Sequence, residues 1–298
     1  MAGDSDNVLQ QATLAALDGL LDAFVLKPQG DDSFEMVNEP SRFGRVFGGQ
    51  LIAQGLLAAA ATVEGKPPHS LHAYFVAGGA SDIPLVASVE RVRDGRSMAA
   101  RRVSITQDGQ PLLALIASFH ASPVEPQLAD PPPAMPAPGE LPTLQDWVRQ
   151  SAPEIRPGAE SNWIVNPPPV QVRMGEALRF LGGEAAAGTR SHWMRVPRSV
   201  GDDPLLHTAL MAYASDFFLL DMAFRAHPSG LPASSFTSTS LDHALWFHRP
   251  VRFDEWLLHT QEAVAISGDR GLVRGAVHDA QGRLVATAMQ EVLVRVRQ

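Results

Sequence analysis

The chain has 298 residues, 45% of them hydrophobic, with a formal net charge of −8 and no cysteine. That length suits one large domain or two smaller ones, and the negative charge argues against nucleic acid or an anionic membrane surface as a partner. Without cysteine there is no disulfide framework and no thiolate nucleophile, so the expected setting is a reducing cytoplasm and hydrolytic chemistry must use oxygen or activated water. No stretch is long enough to span a membrane as a helix. The acidic opening lacks the positive charge of a secretory signal, and Arg295-Val296-Arg297-Gln298 is not a peroxisomal address.

Taken in order, Val8 to Ala23 reads as an amphipathic helix, followed by two short strands, Phe24–Lys27 and Ser33–Val37, around a Gly30-Asp31-Asp32 turn. Leu51 to Val63 reads as a buried helix entered through Gly48-Gly49, with no carboxylate before Glu64. Strand signals follow at His69–Val76, Pro84–Arg93, Met98–Gln107 and Leu112–His120, with turns at Asp94-Gly95-Arg96 and Asp108-Gly109. A helix followed by an antiparallel meander is an α+β pattern. Prolines then crowd residues 122–143, which read as a linker or as a loop strapped over the surface. Leu144–Ser151 reads as a short helix, and Val170–Met174 and Ser191–Val196 as strands.

The second half repeats the order of the first. A long apolar run from Pro204 to Ala226 has no glycine and no internal proline, and Leu206, Leu210, Tyr213, Phe217 and Leu220 recur at helical spacing. Strands follow at Phe236–Phe247, Glu255–Ile266, Gly271–His278 and Leu284–Val296. Matching turns and openings (Ser70-Leu71-His72 with Ser240-Leu241-Asp242-His243) imply a duplicated helix-plus-meander unit. The chain then divides into an N-terminal unit at 1–121, the proline segment at 122–143 and a C-terminal unit at 144–298. Asp216 falls in the middle of the second long helix. A carboxylate there must find a hydrogen-bond partner, shift its pKa, face a cavity, or turn to solvent.

Five stretches in order resemble the acyl-CoA thioesterase II family, which includes bacterial enzymes and the peroxisomal choloyl-CoA hydrolase branch. They are Val46-Phe47-Gly48-Gly49-Gln50; Arg93 to Ser97 with Ala100 to Val103; Ala212-Tyr213-Ala214-Ser215-Asp216; Leu241 to Pro250; and Gln290-Glu291. The likeness runs from about Phe43 to the C-terminus. It implies a double hot-dog fold, in which each central helix is wrapped by a curled antiparallel sheet. It also implies hydrolysis of medium- or long-chain acyl-CoA by direct attack of water, with no cofactor and no metal. An Asp, a hydroxyl and a Gln hold the water in this family, and the matching positions are Asp216, Ser240 and Gln290. Many bacterial members have Thr where this chain has Ser240, which keeps the hydroxyl.

The residues themselves bear on these roles. Ala288 and Val292 share a strand face with Gln290 and are apolar, so the Gln290 side chain is expected to point inward. Ser240 as a direct nucleophile lacks a base, because His243, three residues on, should point to the opposite face. The Gly48 and Gly49 N–H groups, at a helix N-terminus, are candidate oxyanion donors; the alternative is that these glycines only allow helix and strand to approach closely. With no acid on the first-half helix, one site per chain is expected. Arg42, Arg45, Arg249 and Arg252 are candidates, by residue type, for the phosphates of CoA. His243 and His248 have no third ligand at a recognisable metal spacing. Asp202, Asp203 and His207 loosely resemble a hot-dog enoyl-CoA hydratase signature, although the two acids more naturally cap the next helix. A non-catalytic acyl-CoA-binding protein is the other alternative. Hot-dog proteins usually pair through sheet edges, so a homodimer or larger assembly is expected.

Overall fold

The computed structural model describes residues 2–40, 44–121, 128–155 and 161–297. Arg42, Phe43 and the first part of the proline segment lie outside them. The N-terminal half contains α1 (Ala2–Ala23), β1 (Lys27–Gly30), β2 (Ser33–Met36), α2 (Gly48–Ala60), β3 (Pro68–Phe75), β4 (Leu85–Asp94), β5 (Met98–Gln107) and β6 (Gln110–His120). The C-terminal half contains α3 (Leu144–Ile155), β7 (Gln171–Met174), β8 (Arg190–Arg195), α4 (Pro204–Ala214), α5 (Leu219–Ala226), β9 (Phe236–Ser240), β10 (Asp242–Phe247), β11 (Leu257–Ser267), β12 (Arg270–His278) and β13 (Leu284–Val296).

The strands form one antiparallel sheet in the order β1-β2-β4-β5-β6-β3-β10-β13-β12-β11-β8-β7, with β9 paired to β13 beside that path. The two halves meet where β3 pairs with β10, so Leu245 opposes Leu71 and His243 opposes Ala73. These are the strands whose openings match in the sequence, and the sheet is therefore continuous across the duplication. Period-two burial tells which face is covered: Leu85, Ala87 and Val89 on β4, and Ala286, Ala288, Gln290, Val292 and Val294 on β13, all point inward. Against that face lie α2, with Ile52, Ala53 and Leu56 fully buried, and α4, with Leu210, Met211 and Ala212 fully buried. This is the α+β double hot-dog arrangement that the resemblance implies.

Three expectations need correction. The first short strand is Lys27–Gly30 rather than Phe24–Lys27. The run from Pro204 to Ala226 is not one helix. It breaks after Ala214 and resumes at Leu219, with Phe218 at φ 66° in the left-handed region. Neither glycine nor proline marks the break. Its carbonyls are instead taken by side chains from the sheet: Gln261 Nε2 donates to Phe217 O at 2.7 Å, and Arg190 Nη2 to Phe218 O at 3.5 Å. Nor is Phe236–Phe247 one regular strand. Ser240 opposes Val292 and Ala244 opposes Met289, so four steps on one strand face three on the other. One residue is therefore extra, a β-bulge at 241–243.

The described part of the proline segment lies against the C-terminal half as a strap. His278 Nε2 contacts Asp130 O at 3.0 Å, Trp193 Nε1 donates to Pro136 O at 2.9 Å, and Arg173 Nη1 donates to Leu141 O at 2.8 Å.

The two central helices touch at Gly49, where an added Cβ would lie 2.2 Å from the Tyr213 carbonyl oxygen. Backbone on both sides leaves no flexible atom to give way. Gly49→Ala is therefore expected to lower stability by about 1–3 kcal/mol, as overpacking does. Urea unfolding with an unchanged midpoint would contradict this contact.

Candidate active site

Asp216 occupies the break between α4 and α5 rather than a helix interior. Its residual exposure is to a cavity of about 940 Å³ that it lines together with Gly48, Phe217, Phe218 and Ser240. The side chain reaches the start of α2, where Asp216 Oδ2 lies against Gly48. There Phe47, Tyr213 and Phe217 form an aromatic cluster with ring centroids 5.2–5.7 Å apart.

Gln290, fully buried on β13, donates from Nε2 to Asp216 Oδ1 at 2.6 Å. The Gly49 N–H, in the first turn of α2, donates to the same carboxylate. Both bonds favour the charged form, and so does the positive end of the α2 dipole. Desolvation opposes them and prevails, raising the Asp216 pKa to about 7. An added Cβ at Gly48 would lie 2.8 Å from Asp216 Oδ2, so the missing side chain leaves that oxygen uncovered.

Ser240 ends β9 opposite Val292, on the same inward face as Gln290 two residues away. Its side chain lines the cavity, and among the described residues no direct hydrogen bond joins it to Asp216 or Gln290. The expectation that His243 faces away from Ser240 fails, because the bulge inserts a residue between them and His243 is fully buried on the inner side. His243 is nevertheless engaged elsewhere, with Nε2 2.9 Å from Ser215 Oγ, and burial pushes its pKa down to about 3.

The cavity runs between the two halves. Phe75, Val76, Trp163, Phe180, Phe224 and Phe236 supply apolar wall, and Arg45, Arg179 and Arg297 supply cationic rim. Of the arginines proposed from sequence, Arg45 lines this space. Arg252 is committed to Asp202 at 2.5 Å and Asp254 at 2.9 Å, and neither it nor Arg249 lines the cavity. Arg179 and Arg297 carried no signal in the sequence. Asp203 caps α4 by accepting from Leu205 N–H at 2.9 Å. His207 Nδ1 accepts from Phe253 N–H at 3.1 Å, and its Nε2 lies 2.9 Å from Gly201 O. These side chains hold the entrance to α4. His248 contacts Thr287 Oγ1 at 2.9 Å.

A buried pair was not foreseen. The Tyr213 hydroxyl donates to the Glu39 carboxylate at 2.8 Å, and the Glu39 N–H donates to Gln50 Oε1 at 3.2 Å. This ties the residue three before Asp216 to the loop that precedes α2.

A carboxylate that lines a cavity at the seam of two helix-in-sheet units defines the class: a double hot-dog protein with an acid in its cleft. Family models agree, with the acyl-CoA thioesterase model matching residues 164–293 and the acyl-CoA thioesterase N-terminal domain model matching 38–120. Acyl-coenzyme A thioesterase 8 of Homo sapiens is 32% identical over 282 residues, covering 91% of this chain and 87% of that protein. Acyl-CoA thioesterase 2 of Haemophilus influenzae is 30% identical over 280 residues, covering 94% and 98%. Among solved structures, acyl-CoA thioesterase II TesB2 of Mycobacterium marinum superposes with a TM-score of 0.75 at 32% identity, covering 94% of this chain and 99% of that one. The tesB protein of Mycobacterium avium gives 0.75 at 28% identity, covering 93% and 99%. The chain belongs to the acyl-CoA thioesterase II family, whose members are hydrolases.

The shifted Asp216 pKa has a consequence for stability. The folded chain holds this proton up to about pH 7, whereas the ordinary value is 3.8. The native state therefore binds more protons than the unfolded state in that window, and stability falls as pH rises through it. Asp216→Asn is expected to be more stable than the parent at pH 8, with the gain shrinking toward zero near pH 3.5. Denaturant melts showing the same gain at both pH values would contradict a desolvated carboxyl.

Proposed function

We propose that this protein hydrolyses medium- or long-chain acyl-CoA to free fatty acid and CoA in the cytoplasm. Water attacks directly and is held by Asp216, Ser240 and Gln290, with one site per chain. The observation that carries this reading is the 2.6 Å bond from Gln290 to a cavity-facing carboxylate whose pKa is raised to about 7.

The chemistry follows from that poise. A carboxylate with a pKa near 7 is a stronger base than an ordinary Asp and is still largely ionised just above neutrality. Its uncovered Oδ2 takes a proton from a water placed between it and the Ser240 hydroxyl. The water oxygen attacks the thioester carbonyl carbon, and the carbonyl oxygen gains the negative charge. Collapse breaks the C–S bond, and Asp216 returns the proton to the departing sulfur. The oxyanion role considered for the glycine pair narrows to Gly48, because the Gly49 N–H already donates to Asp216. The aromatic wall suits an acyl chain, and Arg45, Arg179 and Arg297 suit phosphate.

The chain is read as two hot-dog units, 1–121 and 144–298, joined by 122–143. Only the second supplies the acid: the buried polar groups of α2 are Gln50 and Gln54, which bond each other at 3.0 Å. Assembly as a homodimer or larger is part of the proposal. The hydratase alternative is weakened by the structural bonds of Asp203 and His207. A non-catalytic acyl-CoA binder is separated by turnover itself.

A free-thiol assay with lauroyl-CoA is expected to show CoA release by the parent and a loss of about 10²–10⁴-fold in Asp216→Asn. Turnover that survives in this variant refutes the base. Gln290→Ala removes a bond that holds the Asp216 pKa down. Its rate should therefore drop, and the acid limb of its pH–rate profile should move to higher pH. A limb that stays in place would count against this role for Gln290.

A further inference from the structure

Behind the wall formed by Asp216, Phe217 and Phe218, a row of polar side chains crosses the inner face of the C-terminal sheet. His243 on β10 lies one residue beyond the registered pair Ala244–Met289 and so beside Gln290 on β13. Gln290 opposes Val273 on β12, and Gly275, two residues along the same face, opposes Gln261 on β11, while His259 and Gln261 oppose His192 and Arg190 on β8. Gly275 opens the inner face of β12 beside Val273: an added Cβ there would lie 2.4 Å from His259 Nε2, so the imidazole extends from β11 over β12. The His192 and His259 rings are 5.1 Å apart, and His192 lies 5.1 Å from the Phe218 ring. His192, His243, His259, Gln261 and Gln290 are almost wholly inaccessible, and none of them lines the cavity.

Six polar atoms in this row have no hydrogen-bond partner in the protein: Arg190 Nε, both ring nitrogens of His192, His243 Nδ1, Gln261 Oε1 and Gln290 Oε1. Each orphaned buried polar atom carries an uncompensated desolvation cost, and six together would weigh heavily against the small net stability of a folded protein. Their hydrogen-bonding character shows what they lack. The Ser215 hydroxyl donates to Ala212 O at 2.8 Å, so His243 Nε2 donates to that hydroxyl and Nδ1 is left an acceptor. The Gln290 and Gln261 amides are fixed by donating Nε2 to Asp216 Oδ1 and Phe217 O, which leaves their Oε1 atoms as acceptors. His243 and Gln290 lie on adjacent strands, one residue beyond the registered pair Ala244–Met289, and His243 Nδ1 and Gln290 Oε1 both need a donor. A molecule with two donors meets that need, as water does.

We propose that this row is an internal hydration site, and that it supplies the hydrolytic water from behind Asp216 when acyl-CoA fills the cavity. The supply role rests on the reading of Asp216 as base given above. Gln290 is the link, because one end of its amide holds the carboxylate and the other faces the hydrated row. An acyl chain long enough to occupy the aromatic wall shuts the front route from bulk solvent, whereas a short chain leaves that route open. The row therefore matters in proportion to chain length.

His192→Leu tests this, since His192 makes no hydrogen bond to protein among the described residues and Leu removes both of its polar atoms. The ratio of kcat for lauroyl-CoA to kcat for butyryl-CoA is expected to fall about tenfold, or 1.36 kcal/mol. His192→Asn, which keeps a donor and an acceptor, should restore the ratio. A high-resolution crystal structure of the parent should show water within hydrogen-bond distance of Gln290 Oε1 and His243 Nδ1. A dry row overturns the hydration site, and this readout does not depend on whether Asp216 is the base. Water present with an unchanged ratio in a folded His192→Leu overturns the supply role.

Discussion

The structure is organised around a half-buried, cavity-facing carboxylate held by a buried amide. Burial alone would keep Asp216 protonated at neutral pH, and hydrogen bonds alone would keep it charged and weakly basic. Gln290 and the Gly49 N–H offset enough of the desolvation to bring the pKa to about 7. That balance makes demands on distant parts of the chain. The inward face of β13 must present Gln290 at the depth of the break between α4 and α5. The start of α2 must lie close enough for Gly49 to donate, which requires glycine at the contact with Tyr213. The break itself must exist, and its carbonyls must be satisfied by Gln261 and Arg190.

Phe218 shows that the break is under local strain. A bulky aromatic residue at φ 66° is held outside its comfortable region, at about 1–2 kcal/mol. Its ring is fixed between Trp163, Phe217 and His192, and those contacts hold the conformation. Strain of this kind often sits at a working site, and here it lies two residues from the acid.

Much of the architecture was legible in the sequence. The hairpin signal Asp108-Gly109 fixed a turn with positive φ at both residues, 49° and 76°. Met98–Gln107 and Leu284–Val296 were read with the bounds the structure gives them. The inward turn of Gln290 followed from Ala288 and Val292. The helix break was not legible, because its cause is Gln261 and Arg190, side chains remote in sequence that cap carbonyls no local pattern exposes. The bulge at 241–243 was hidden for the same reason: one extra residue alters register only relative to β13. The contact between Asp216 and Gln290 spans 74 positions. It came from the family resemblance and not from periodicity.

The continuity of the sheet through β3 and β10 bears on how the two halves differ. Two identical subunits meeting at such a seam would be bound by symmetry, and any residue gained by one would appear in the other. Covalent fusion lifts that constraint. One half keeps a quiet interior in which Gln50 and Gln54 satisfy each other, while its twin has filled the corresponding space with imidazoles, amides and an acid. Division of labour is then available to a single polypeptide, with both halves contributing lining to the one cavity that Asp216 faces.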